Sequence, residues 1–172
     1  FFLSPRSPAY RPPARAILSN VRRLVESFRR QNRPLFFTLH AHAASQKRNA
    51  MALWWKKVCL DGTKWAELSP LLGAQSDEIV KKCRYSAFSN PALKKMLRAK
   101  NVSELVIAGV MTNLCVESSA RDAFDAGIKV WTVLDATAAH TEEFHTASLK
   151  SLAQGFSSMV TTEEMAPSAP QA

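Results

Sequence analysis

No apolar run in these 172 residues approaches the length of a membrane span, and no signal-peptide pattern opens the chain as it stands. Cysteine is scarce and odd in number: Cys59, Cys83 and Cys115, with no pair at metal-ligand spacing. A disulfide framework is therefore not expected, and a reduced, cytoplasmic setting is. Internal repeats are missing, as is any aromatic or glycine-rich reading motif woven among basic residues. That last absence matters because 23 Lys and Arg against 14 Asp and Glu leave a net charge of +9. The positive groups are dispersed in pairs such as Arg22-Arg23 and Lys94-Lys95, as solvated helix faces require. Neither nucleic acid nor a membrane is an expected partner. Steep salt dependence of nucleic-acid retention would be the sign of the opposite case.

The chain is the size of one domain and can bury a core, and 47% hydrophobic with 22% charged residues is ordinary for a globular protein. After a proline-marked start, Ile17, Val21, Leu24, Val25 and Phe28 form one face of a helix expected over 14–30. Strands are expected at 35–39, 78–82, 105–108, 129–135 and 159–162. Helices are expected from Asn90-Pro91 to Ala99, after Cys115 to a left-handed cap at Gly127, and after Thr141, where Glu142 and Glu143 suit the helix dipole. The alternation predicts a three-layer α/β/α domain over residues 1–165 with a mostly parallel, Rossmann-like central sheet, and a flexible Pro-rich tail at 166–172. Between the first two strands lies a long excursion with Trp54, Trp55 and Trp65, suited to core packing, a subunit interface or the cover of a pocket.

Cys115 falls where the strand over 105–108 gives way to a helix. Ligands of open parallel sheets bind there, and unpaired N–H groups favour a thiolate and a developing oxyanion. By position alone a buried structural cysteine competes with a nucleophile. The run Gly109-Val-Met-Thr-Asn-Leu-Cys115-Val-Glu-Ser-Ser-Ala-Arg-Asp-Ala-Phe resembles the nucleophile motif of the isochorismatase-like cysteine hydrolases, and Lys82-Cys-Arg-Tyr-Ser-Ala-Phe88 resembles the segment with that family's catalytic lysine. Both motifs occur in the family's order, and a weaker resemblance spans about Phe1 to Glu164.

The resemblance implies roles. Cys115 would attack a carbonyl carbon and Lys82 would pair with the thiolate. The backbone N–H groups of Met111 and Cys115 would bind the oxyanion, aimed by a cis Val110–Met111 peptide bond. His40, His42, Trp55, Tyr85 and Phe88 are the candidates for the substrate pocket. In nicotinamidase relatives an Asp-x-His motif near this point binds a divalent metal; here His40 stands at the aspartate's place. The histidine pair is thus expected to line the site or make hydrogen bonds, with no metal and no cofactor. The family's general base is an aspartate ending a first strand just ahead of paired phenylalanines, which Phe1-Phe2 resemble. That aspartate is not in this sequence, and the natural protein is expected to carry it ahead of Phe1. Three readings follow: a cysteine amidohydrolase acting on a small-molecule amide or ureido C–N bond through a thioester, an inactive relative serving as a binding or assembly subunit, or a basic nucleic-acid module. The first is preferred, as a homo-oligomer. The run around Cys115 looks closer to the amidohydrolase branch, including ureidoacrylate-type enzymes, than to the nicotinamidases.

Overall fold

The computed structural model describes residues 1–7, 9–46 and 49–167, so most of the tail expected at 166–172 lies outside the described residues. Twelve elements position the site: α1 (Pro12–Ala16), α2 (Leu18–Arg30), β1 (Phe37–His40), α3 (Ala50–Trp55), β2 (Ile79–Lys82), α4 (Pro91–Ala99), β3 (Glu104–Val110), α5 (Glu117–Asp125), β4 (Lys129–Ala138), α6 (Glu142–Gly155), β5 (Ser158–Val160) and α7 (Thr162–Met165). The single helix expected over 14–30 is two, because Ile17 takes ψ −4° and its N–H turns to Pro13 and Arg15 before α2 restarts. The other expected elements fall within a few residues of their places.

All strand pairings are parallel. Side chains alternate across β3 and β4, which separates two cores. Leu105, Ile107 and Val130 meet α4, α5 and α6 through Leu97, Ala120 and Leu152. Val106, Ala108 and Val133 meet α2 and α7 through Leu24 and Met165. These are the three layers the alternation predicted. No described helix is long and apolar enough to cross a membrane.

The strands form two sheets, β1–β2 and β3–β4–β5. A cavity of about 1280 Å³, lined by Phe37 and Leu39 of β1, Leu105 and Ile107 of β3 and Leu24 and Phe28 of α2, lies where the two sheets would join.

Local chemistry accounts for the stops and starts. Gly127 adopts φ +79°, and its N–H and that of Ile128 close the end of α5 on Phe124 and Ala123 carbonyls at 2.9 and 3.0 Å. Asn90 caps α4 on Ala92 N at 2.9 Å and also donates to the Lys81 carbonyl at 2.8 Å, which ties that helix to the strand carrying Lys82. Asp135 accepts from Thr162 N at 2.7 Å and Asn20 Nδ2 at 3.1 Å and so fastens α7 and α2 to β4.

Candidate active site

Three parallel strands deliver their carboxyl ends to one place. His40 ends β1 and is the register partner of Lys82, which ends β2. β3 ends at Val110 beside a sharp change of direction. A register shift against β4 occurs between Ile107 and Gly109, and Gly109 sits at φ +119°, a region side-chain-bearing residues avoid. The next peptide bond, Val110–Met111, is cis. The chain then enters a π-helical turn, Thr112–Val116, which bears Cys115, before α5 begins at Glu117. The sequence reading expected an α-helical first turn here. A single π turn has wider i→i+5 bonding, as in Val116 N to Met111 O at 3.2 Å, and such turns recur at functional sites.

The turn is held from three sides. Ser119 Oγ donates to the Cys115 carbonyl at 2.6 Å and accepts from Ala87 N at 2.9 Å, which joins the cysteine's turn to the lysine's loop. Thr112, with no exposed surface, shares a hydrogen bond with His145 Nδ1 of α6 at 2.8 Å. Ser148, also on α6, donates to Glu117 at the start of α5. Ser119, His145 and Ser148 carry no pocket signal in the sequence. Only their helical spacing from neighbouring core positions places them against the turn.

Lys82 is 6% exposed, so its charge must be met inside the protein. Its Nζ lies 3.0 Å from Arg84 O, 2.9 Å from Tyr85 O and 3.3 Å from Cys115 Sγ. Two carbonyls and one sulfur are three acceptors for three N–H bonds. Lys81, the adjacent lysine, is exposed and pairs with Asp61 at 2.9 Å.

The remaining pocket candidates divide. His40, Trp55, Tyr85 and Phe88 line the cavity together with Cys115 and Lys82. Trp55 Nε1 donates to the Tyr85 hydroxyl at 2.7 Å, so the aromatic excursion reaches the lysine loop. Trp54, 79% exposed, and Trp65, which packs beside Cys59 in a small core, line the same cavity. His42 has no exposed surface and lies behind His40, not on the cavity wall, with Nε2 to Nε2 at 2.9 Å. Among the described residues no group of three or more His, Cys, Asp or Glu could hold a metal ion.

Burial, then the Lys82 ammonium and His42, push His40 down from 6.5 to about 4, and burial and Lys82 push His42 down as well. Both imidazoles are neutral at pH 7. The unfolded chain takes up the His40 proton near 6.5 and the folded chain only near 4, so stability is complete above about 6.5 and falls between 6.5 and 4. His40→Gln is expected to flatten that fall by roughly 1–3 kcal/mol, read from urea unfolding at pH 7 and pH 4.5.

These features can be set beside known proteins. The family model described as Isochorismatase domain matches residues 1–164. Nicotinamidase 3 of Arabidopsis thaliana is 39% identical over 156 residues, 88% of this chain and 79% of that protein. A ureidoacrylate amidohydrolase of Cronobacter sakazakii is 52% identical over 58 residues, 34% of this chain and 24% of that protein. The crystal structure of a cysteine hydrolase from Pseudomonas syringae pv. phaseolicola shares the fold at a TM-score of 0.89 and 25% identity, covering 95% of this chain and 84% of that one.

Proposed function

Because the chain belongs to the isochorismatase family, we propose that it hydrolyses a non-peptide C–N bond of a small-molecule amide or ureido compound through a thioester on Cys115. The observation that carries the reading is the buried Lys82 ammonium 3.3 Å from Cys115 Sγ, at the meeting of three strand ends. Two relatives support the bond type: one is a nicotinamidase and one a ureidoacrylate amidohydrolase.

In this reading Cys115 Sγ attacks the carbonyl carbon, a C–S bond forms, and the carbonyl oxygen becomes an oxyanion held by the N–H groups of Met111 and Cys115. The C–N bond breaks as the thiol's proton passes to the leaving nitrogen, and ammonia or an amine departs. In the family an aspartate carries that proton. Water then attacks the thioester, C–S breaks, and a carboxylic or carbamic acid leaves with the thiol restored. One water is consumed and nothing is oxidised, so no cofactor is needed. Lys82 keeps the sulfur's charge paired while the bond order changes. The wall of Trp55, Tyr85 and His40 suits a planar or unsaturated substrate more than a bulky aliphatic one. Leu53 and Trp54, 68% and 79% exposed on α3, suit burial between copies in a homo-oligomer.

The test is ammonia release from a panel of heteroaromatic carboxamides, ureido acids and aliphatic amides. Release from a member of the first two classes, lost in Cys115→Ala, is the expected result. Release that persists in Cys115→Ala would overturn the reading.

A further inference from the structure

Asn49 stands far from Cys115 in sequence and begins α3. Its Oδ1 accepts from Ala52 N at 2.9 Å, the ordinary helix-cap bond. The cap settles which way the amide faces, because the oxygen is committed and the NH2 group must point the other way. That NH2 lies 3.2 Å from His42 Nδ1. An amide NH2 only donates, so His42 Nδ1 is a bare acceptor and the one proton of this neutral ring sits on Nε2.

His42 Nε2 in turn faces His40 Nε2 at 2.9 Å. Only one hydrogen fits between two ring nitrogens, and His42 supplies it. His40 therefore carries its own proton on Nδ1, and its backbone hydrogen bond goes to Arg84. Arg84 O is also one of the three acceptors that hold Lys82 Nζ. The 3.4 Å approach of His40 Nδ1 to Lys82 Nζ is then two donors gathered on one carbonyl, not a bond between them. Every donor in the series has an acceptor, and reversing one ring would leave Asn49 and His42 with hydrogen facing hydrogen.

We infer that Asn49 is a positioning residue: as the cap of α3 it dictates the tautomers of His42 and His40, and through the Arg84 carbonyl it aims Lys82 at Cys115. His42 and His40 transmit the register and do not react. The consequence for Cys115 rests on the pairing with Lys82 in the proposed function, whereas the tautomers do not depend on that reading.

The experiment uses 15N-histidine-labelled protein and two-bond 15N–1H correlation at pH 7, which tells Nε2–H from Nδ1–H rings. His42 is expected as Nε2–H and His40 as Nδ1–H; the opposite assignment of either overturns the inference. Asn49→Asp keeps a cap oxygen for Ala52 N but offers His42 a second acceptor, which calls a proton onto Nδ1. In that variant the Nδ1-bare signature of His42 is expected to disappear. Alkylation of Cys115 by iodoacetamide is expected to slow about tenfold, the equivalent of a 1.4 kcal/mol change in barrier, with the melting temperature unmoved. Unchanged spectra, or changed spectra with an unchanged alkylation rate, overturn it. Alkylation needs no substrate, so the failure of an amide assay would not be confused with failure here.

Discussion

Cys115→Ala is expected to lower amide turnover by at least about 10⁴-fold while the protein stays folded, because the nucleophile of a covalent mechanism has no substitute. The side chain is only partly buried, and the turn that bears it is held by Ser119, Thr112 and Glu117, not by the sulfur. A small change in melting temperature beside a large loss of rate separates chemistry from structure. Cys115→Ser is expected to be nearly as inactive, since a hydroxyl is a far weaker nucleophile than a thiol. Cys59→Ala and Cys83→Ala serve as controls. Burial pushes the Cys59 thiol up, away from reactivity, and Cys115 Sγ lies 3.3 Å from Lys82 Nζ. Turnover is measured as kcat/KM on the best member of the amide panel.

Lys82→Met is expected to cost roughly 100- to 1000-fold in kcat/KM, with most of the loss in kcat. Methionine fills much of the volume but leaves Sγ of Cys115 without its cation and two carbonyls, Arg84 and Tyr85, without a donor. Each unsatisfied carbonyl costs about 1–3 kcal/mol, so the variant is also expected to unfold at lower temperature. A purely structural loss would leave the surviving enzyme with normal kcat. Lys82→Arg distinguishes charge from shape. Its planar fork cannot aim three N–H bonds at Arg84 O, Tyr85 O and Cys115 Sγ as an ammonium does, so charge alone is not expected to restore the rate. Recovery of turnover by added small alkylamines in Lys82→Met, but not in Cys115→Ala, is the expected signature of a missing cation.

The parts of this site that could be read in the sequence were those written in local pattern. The apolar strands and the Asn90-Pro91, Thr141 and Gly127 signals are consequences of a few neighbouring residues, and they recur in the structure within a few positions. Cys115 and Lys82 were legible because two motifs carry them, and the structure brings their side chains together across 33 residues. What escaped is non-local. An α turn and a π turn share nearly the same apolar spacing, so the turn at Thr112–Val116 could not be told apart by period. His42 was a candidate for the pocket wall beside His40, yet the loop at Cys59 and Asp61 closes over it through backbone bonds of 2.8 and 2.9 Å. Asn49 carried a readable cap signal ahead of Ala50-Met51-Ala52-Leu53, but within an aromatic excursion read for its tryptophans. The division of the sheet depends on which strands find partners, and no single strand's pattern reports it.

The most direct test of the account is intact-mass spectrometry of the protein rapidly quenched in acid during turnover of an active amide, followed by peptide mapping. The account predicts a transient mass increase equal to the acyl portion of the substrate, located on Cys115, absent in Cys115→Ala and discharged by hydroxylamine. Turnover of the unaltered protein with no such adduct at any quench time, or an adduct on Cys59 or Cys83, would contradict a thioester mechanism at Cys115.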